Sequence, residues 1–449
     1  LGALEKEIQS AIDEANHPSI IIVDSHIAYG SPNKQDSAGA HGSPLGEDEI
    51  RATKENYGWD PDKTFYVPDE VAKFKEDMVV KGAKLEEEWK EKMKAYAEAH
   101  PDLAKQFDMM QNCELPEDWE TIIPEFPADA KGLATRESSS KILNTIADKI
   151  PWFMGGSADL GPSTKTYIKE ASSFNKENYG GRNFHFGVRE HAMGAIINGM
   201  SLSKLRPYGA TFFVFSDYVR PAIRLSSLMK QPVVYIFTHD SIGVGEDGPT
   251  HQPVEHLASL RAMPGLDVIR PSDANELSVM WKYIMGLKDR PVALVLSRQG
   301  MPTLDRSKYA PADGALKGAY VLIESDGIPD VILIGTGSEM QICLDAYEQL
   351  ASEGINARVV SMPCCSLFQS QDKEYREKVL PRSVKARIVV EAGSTFGWHG
   401  YTGREDDCGI FGLKDFGASA PAGELYKEFG FTTERVVQVA KNVIKKNKK

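Results

Sequence analysis

The sequence predicts an α/β protein dominated by two parallel-sheet domains, and three observations carry that expectation. Between residues 133 and about 300, short apolar runs alternate with stretches of helical periodicity. A second, smaller series of the same kind follows a loop at 301–316. The apolar runs are continuous instead of alternating with polar residues, as expected of strands covered by helices on both faces.

In chain order, LGALEKEIQSAIDEA has a helical pattern, and HPSIIIVD (17–24) reads as a buried strand after it. A loop rich in glycine, serine and proline follows, IAYGSPNKQDSAGAHGSPLG. From about 48 to 112 the composition is charged and helical. Leu85, Trp89, Met93 and Tyr96 lie at helix spacing, so this helix is expected to dock one side and solvate the other. The proline-punctuated segment ELPEDWETIIPEFPADAKG (114–132) reads as a linker to a new domain.

That domain offers strands at PWFMGGSAD, RNFHFGV, YGATFFVFS, PVVYIFTH, LDVIRP and PVALVLSR, with helices including EHAMGAIINGMSL and ANELSVMWKYIMGL. The second series reads DVILIGTGS, a helix through CLDAYEQLASEG, NARVVSMP and ARIVVEAG. GTGSEM (335–340) lacks the full dinucleotide fingerprint and reads as a strand-to-helix turn.

A length of 449 residues allows two to four domains. Hydrophobic content of 41% marks a globular chain, and a net charge of −12 argues against nucleic acid or an anionic membrane as main partner. An anionic substrate would need a local cluster of arginine and histidine. The five cysteines, Cys113, Cys343, Cys364, Cys365 and Cys408, contain no C-x-x-C and fit reduced, buried thiols in a cytosolic compartment. No apolar run approaches the roughly 18 residues of a spanning helix, and no signal peptide is visible.

In open parallel sheets, ligands bind beyond the carboxyl ends of the strands. Asp159, Glu190, His239 and Arg298 all follow strand ends and are expected on one rim. Taken alone, Glu190 is a first-turn glutamate favoured by the helix dipole; on the rim it becomes a carboxylate able to share a proton with a ligand. Phe212, Phe215 and Tyr218 recur every third residue in TFFVFSDY, where they either fill core or stack on a flat ring. HDSIGVGEDGPTH (239–251) places His239, Asp247 and His251 in a segment unfit for helix or strand. Its spacing matches no common zinc pattern, and Ser241 precedes no nucleophile elbow. Imidazoles and a carboxylate on a flexible loop do suit a polyhydroxylated ligand.

These residues resemble the transketolase family. The similarity includes GGSADLGPS (155–163), FGVREHAMGAI (186–196), TFFVFSDY (211–218), HDSIGVGEDGPTHQPVEHLASLRAMPGLDVIRPSDANE (239–276) and LSRQ (296–299), with the SPNK and HGSPLG loops near the start. It implies residues 1–113 as the end of a diphosphate-binding α/β domain with a helical linker, 114–303 as a pyrimidine-binding domain, and 316–449 as the C-terminal domain. It also implies thiamine diphosphate with Mg²⁺ or Ca²⁺, and transfer of a two-carbon ketol unit from a ketose phosphate to an aldose phosphate, as in the pentose phosphate pathway or Calvin-type sugar interconversion. A cytoplasmic homodimer is implied as well.

By the same resemblance, Glu190 hydrogen-bonds the aminopyrimidine and favours the imino tautomer that deprotonates the thiazolium. Phe212, Phe215 and Tyr218 surround that ring, Asp159 is a nearby cofactor contact, His41 lies near the diphosphate, and Ile27 is an apolar thiazolium contact. Arg136, Ser163, His239 and Arg298 match sugar-phosphate contacts, Asp247 a carboxylate reading a substrate hydroxyl, and His251 an imidazole near the reacting carbon. Dihydroxyacetone synthase and a non-catalytic sugar-phosphate or interaction module are the alternatives; the retained Glu190, His239, Asp247 and His251 speak against the module.

One departure is plain. The family holds its metal and diphosphate with a Gly-Asp-Gly motif and a later asparagine, upstream of the SPNK loop, and no Gly-Asp-Gly occurs in this sequence. The chain opens at Leu1, not methionine. The expectation is therefore a chain that starts inside the diphosphate domain, keeps its last helix, strand and charged tail, and assigns no metal ligand.

Overall fold

The computed structural model describes residues 1–403 and 409–447, so Cys408 lies outside the described residues. The chain divides into two compact units, Leu1–His100 and Pro101–Lys449.

The first unit holds the helices Gly2–Asp13, Glu47–Asn56 and Asp69–Ala99. Two expectations need correction here. Residues 17–24 form no strand, and Ile20 and Ile22 are 87% and 89% exposed. A strand needs a neighbour to take its backbone N–H and C=O groups, and no strand occurs among the described residues of this unit. The helix Asp69–Ala99 does form, but it contains no buried residue, and Leu85 and Trp89 are exposed. Its apolar row is present without the expected docked face. The SPNK loop is tied to a neighbouring helix by contrast. Glu49, from the helix Glu47–Asn56, accepts hydrogen bonds from Ser31 Oγ, from Asn33 N (2.8 Å) and from Asn33 Nδ2 (2.9 Å).

The second unit contains every strand among the described residues. They are β1 (Asp129–Ala134), β2 (Phe153–Ser157), β3 (Asn183–His185), β4 (Arg206–Phe212), β5 (Val234–Thr238), β6 (Asp267–Ile269), β7 (Val292–Leu296), β8 (Gly300–Thr303), β9 (Tyr320–Ile323), β10 (Val331–Gly335), β11 (Ala357–Ser361), β12 (Arg387–Ser394) and β13 (Gly409–Leu413). Six form an all-parallel sheet in the order β3-β2-β4-β5-β7-β6. All five residues of β5 and of β7 are buried, which explains their unbroken apolar sequences. The helices Thr135–Lys149, Glu190–Leu202, Ser216–Leu228 and Ala274–Gly286 supply apolar residues to the clusters packed on this sheet.

The smaller sheet runs β13-β12-β10-β11-β9, with β9 antiparallel to β11 and the other pairs parallel. Neither that antiparallel edge nor the two-stranded β1–β8 pair is visible as apolar periodicity. Segment 114–128 is also less of a linker than its prolines suggest. Trp119 and Ile123 are buried, and Phe126 exchanges two hydrogen bonds with Asn275, at 2.9 and 2.8 Å.

Two glycines set the sheet's closest approach. A Cβ on Gly155 would stand 2.1 Å from Tyr208 O, and one on Gly156 only 1.8 Å from Phe184 O. The GG of GGSAD therefore lets β3 and β4 pack tightly on either side of β2, where the strand order reverses and ligand crevices form.

Candidate functional site

The rim beyond the strand ends collects the expected polar residues of the second unit. Asp159 lies two residues past β2, in the left-handed region at φ 62°. Glu190 begins the helix that follows β3. Phe212 ends β4, His239 directly follows β5, and Arg298 lies two residues past β7.

Aromatic side chains form a continuous patch here. After Phe212 the chain turns through a 3-10 segment, Phe213–Phe215, into the helix Ser216–Leu228. The three-residue spacing thus wraps a helical turn instead of running along a strand. Phe212 and Phe215 are nearly parallel, 9° apart with centroids at 6.1 Å, and Tyr218 follows Phe215 at 6.1 Å. Phe212 is buried, Phe215 half-buried and Tyr218 exposed, so the patch grades from core to an open face. His251 stands edge-on to both phenylalanines, at 6.3 and 5.6 Å, and His239 packs 3.7 Å from Phe212.

The cationic side is assembled by reciprocal hydrogen bonds. Thr135 N donates to Ser297 Oγ at 3.0 Å, and Ser297 N donates to Thr135 Oγ1 at 2.7 Å. This pair pins the backbones immediately before Arg136 and Arg298. Arg136 Nη1 donates to the Ser163 carbonyl at 2.8 Å and stands 3.5 Å from His239 Nε2. Burial and the like charge of Arg298 lower the Arg136 pKa from its ordinary value. Clustered guanidiniums that repel one another suit a dianionic ligand.

His239 is 3% exposed and adopts φ 64°, a conformation that costs a non-glycine residue roughly 1–3 kcal/mol. Its Nδ1 pairs with Thr238 Oγ1 at 2.8 Å. Burial first, then the charges of Arg136, Arg298 and His251, pull its pKa down to about 3, so the ring is neutral at pH 7. Further along the loop, Asp247 is exposed and His251 half-buried, with His251 Nδ1 paired to Thr250 Oγ1 at 2.9 Å.

Glu190 is 9% exposed, yet its carboxylate takes part in no hydrogen bond or ion pair among the described residues. A carboxylate left unpaired on a ligand-binding rim keeps its lone pairs free for a group from outside, and a ring nitrogen sharing a proton would meet them.

Ile27 and His41 belong to the first unit and are both exposed. Ile27 O accepts from Asp36 N at 3.0 Å, and His41 N donates to Ala38 O at 3.1 Å, so both sit on hydrogen-bonded turns. The one grouping of His, Asp and Glu close enough to hold an ion, among the described residues, is Asp217, Glu255 and His256. It includes none of His239, Asp247 and His251.

Sequence reasoning missed the Thr135–Ser297 pin and a buried ion network behind the rim, centred on Arg270. Arg270 Nε donates to Asp240 Oδ2 at 2.9 Å, and Nη1 donates to Thr336 Oγ1 at 2.9 Å and to Glu339. A visible signal existed: LDVIRP ends an apolar strand on a charged residue that has no solvent to reach.

The chain is similar to known proteins along its length. Residues 131–303 match the model of the transketolase pyrimidine-binding domain, 318–432 that of the transketolase-like C-terminal domain, and 1–116 that of the transketolase thiamine diphosphate-binding domain. A transketolase of Halalkalibacterium halodurans is 50% identical over 98% of this chain and 66% of its own. One from Bacillus subtilis is 48% identical over 98% of this chain and 67% of its own. A crystal structure of Pichia stipitis transketolase in complex with sedoheptulose 7-phosphate superposes with a TM-score of 0.93 at 39% identity, covering all of this chain and 66% of that one. The chain thus spans about two thirds of the length of these relatives.

Proposed function

The chain belongs to the transketolase family, and from that premise we propose that it supplies the pyrimidine-binding side of a thiamine diphosphate-dependent ketol transferase. The reaction moves a two-carbon ketol unit from a ketose phosphate to an aldose phosphate. In this reading residues 1–113 belong to the diphosphate-binding domain and its helical linker, 114–303 form the pyrimidine-binding domain, and 316–449 form the C-terminal domain.

The observation that carries the proposal is Glu190, whose carboxylate has no hydrogen-bond or ion-pair partner among the described residues and which opens a helix on the ligand-binding rim. A protonated ring nitrogen of an aminopyrimidine can donate to that carboxylate. The graded patch of Phe212, Phe215 and Tyr218 offers faces on which such a ring can stack. Asp159 is assigned a further cofactor contact, with Ile27 and His41 on the thiazolium and diphosphate side. When bound, thiamine diphosphate supplies a carbanion equivalent that carries the two-carbon unit.

The chain's own residues then have distinct tasks. Glu190 shares a proton with the ring nitrogen and so biases its tautomer. Arg136, Ser163, His239 and Arg298 take the sugar phosphate, the neutral His239 ring donating or accepting without adding charge. Asp247 accepts from a substrate hydroxyl, and His251 moves a proton near the reacting carbon. Mg²⁺ or Ca²⁺ would neutralise the diphosphate; the chain contains no Gly-Asp-Gly ligand motif, and no ligand to that ion is assigned. A cytoplasmic homodimer completes the reading. No helix among the described residues is long and apolar enough to cross a membrane.

The test is Glu190→Gln in the holoenzyme. Turnover should fall by about 10²–10⁴-fold while sugar-phosphate binding persists. Unchanged turnover would overturn the assignment of Glu190, and absence of turnover in the parent holoenzyme would favour a non-catalytic sugar-phosphate module.

A further inference from the structure

Four of the substrate-side residues, His239, Asp247, His251 and Arg298, share a feature that no single contact reveals: each adjoins, in the chain, a residue anchored to the 316–449 domain. Asp240, next to His239, is held by Arg270, whose Nη1 reaches Thr336 and Glu339 in that domain. Gln299, next to Arg298, donates from Nε2 to Ser338 Oγ at 3.0 Å. Gln252, next to His251, donates from Nε2 to Ala418 O at 2.9 Å and to Gly245 O, also at 2.9 Å. Glu246, next to Asp247, accepts through its carbonyl from Ser419 Oγ. Tyr426 joins the anchors, its hydroxyl donating to Glu339 Oε1 at 2.6 Å and lying 3.2 Å from Ser338 Oγ and 3.3 Å from Ser241 Oγ.

In each pair one residue stands on the rim while its neighbour is bonded behind it. Asp240, Ser241 and Gln252 are at most 2% exposed, and Arg270 and Glu339 are fully buried, so the partner must be protein. An electrostatic framework in a low-dielectric interior fixes geometry more sharply than the same groups would in water.

We infer that the C-terminal domain acts as the frame for the sugar-phosphate side of the site, with Gln252, Arg270 and Tyr426 as positioning residues. They touch no substrate. They hold His239, His251 and Arg298 where the ligand needs them. This inference rests on the ketol-transferase reading for the identity of the ligand, though not for the positioning itself.

The test compares Tyr426→Phe and Gln252→Ala with Ser366→Ala in the holoenzyme. Ser366 Oγ also crosses between the domains, donating to Asp267 Oδ1 at 2.6 Å, but it adjoins no rim residue. Tyr426→Phe and Gln252→Ala should each raise KM for the sugar phosphates about tenfold, or 1.4 kcal/mol, with kcat within about threefold of the parent. Ser366→Ala should leave KM unchanged whatever it does to the melting temperature. Independently of turnover, the imidazole NMR signals of His239 and His251 should move in the first two variants and not in the third. Ring signals and KM unmoved in Tyr426→Phe and Gln252→Ala, or moved equally by Ser366→Ala, would overturn the inference. Absence of sugar-phosphate turnover in the parent holoenzyme would overturn the ketol-transferase reading alone and leave the ring signals to decide this one.

Discussion

His239 Nε2 lies 3.5 Å from Arg136 Nη1 while its Nδ1 is taken by the Thr238 hydroxyl. A ring buried against Phe212, with a guanidinium facing its Nε2, takes an added proton only against desolvation and like charge.

That relationship sets an acid limit on stability. The folded ring resists protonation down to about pH 3, whereas the unfolded ring has the ordinary value of 6.5. Between those values the unfolded chain binds more protons, so stability falls as pH drops from about 6.5 toward 3. In His239→Asn that part of the slope should vanish. Urea unfolding of both proteins across this range measures it; parallel curves would contradict the neutral ring.

Glu391 responds in a different window. Burial raises its pKa, but the charge and paired hydrogen bonds of Arg261 (2.7 Å each) and the charge of Arg270 win, and the carboxyl is held at about 2. Its contribution is present above the unfolded value of 4.5 and is lost as pH falls toward 2. At pH 7, Glu391→Ala strands Arg261 and should cost about 3–5 kcal/mol in urea unfolding.

Glu190 should behave differently. Its carboxylate makes no hydrogen bond or ion pair among the described residues, so Glu190→Gln should leave the melting temperature within about a degree of the parent even as turnover falls. Differential scanning calorimetry reads this directly, and a lowered midpoint would show that the carboxylate has a structural partner after all.

Gly156→Ala should destabilise strongly. The added methyl would lie 1.8 Å from a backbone oxygen of β3, and backbone cannot rotate aside as a side chain can. A loss of at least about 1–3 kcal/mol is expected, measurable as a lowered urea midpoint.

Thiol chemistry should follow burial. Cys343 and Cys364 are fully buried, and desolvation pushes both thiols up, Cys364 to about 12. Cys113 is half-buried. Under native conditions a thiol-specific reagent should label Cys113 well before either of them, as peptide mass spectrometry would show.

Much of the fold was legible because buried parallel strands write themselves as unbroken apolar runs. PVVYIFTH and PVALVLSR became β5 and β7, and the polar residue closing each, His239 and Arg298, reached the rim. Legibility failed where pairing depends on partners distant in sequence. HPSIIIVD has the composition of a strand, but composition cannot supply a neighbour. The β1–β8 pair joins residues over 160 positions apart and has no period of its own. At the site, individual residue types pointed to the rim, whereas the Thr135–Ser297 pin and the Arg270 network are relations between segments. GTGSE reads as a plain turn until Glu339 is seen facing Arg270.

The β1–β8 pairing has a topological consequence. Asp129 lies opposite Thr303 and Ala134 opposite Gly300, so the stretch carrying the six-stranded sheet begins and finishes on adjacent strands. Such closure is the geometry that tolerates circular permutation with a short bridge inside the intact protein, whereas cutting the stretch out would strand Arg270 from Thr336 and Glu339.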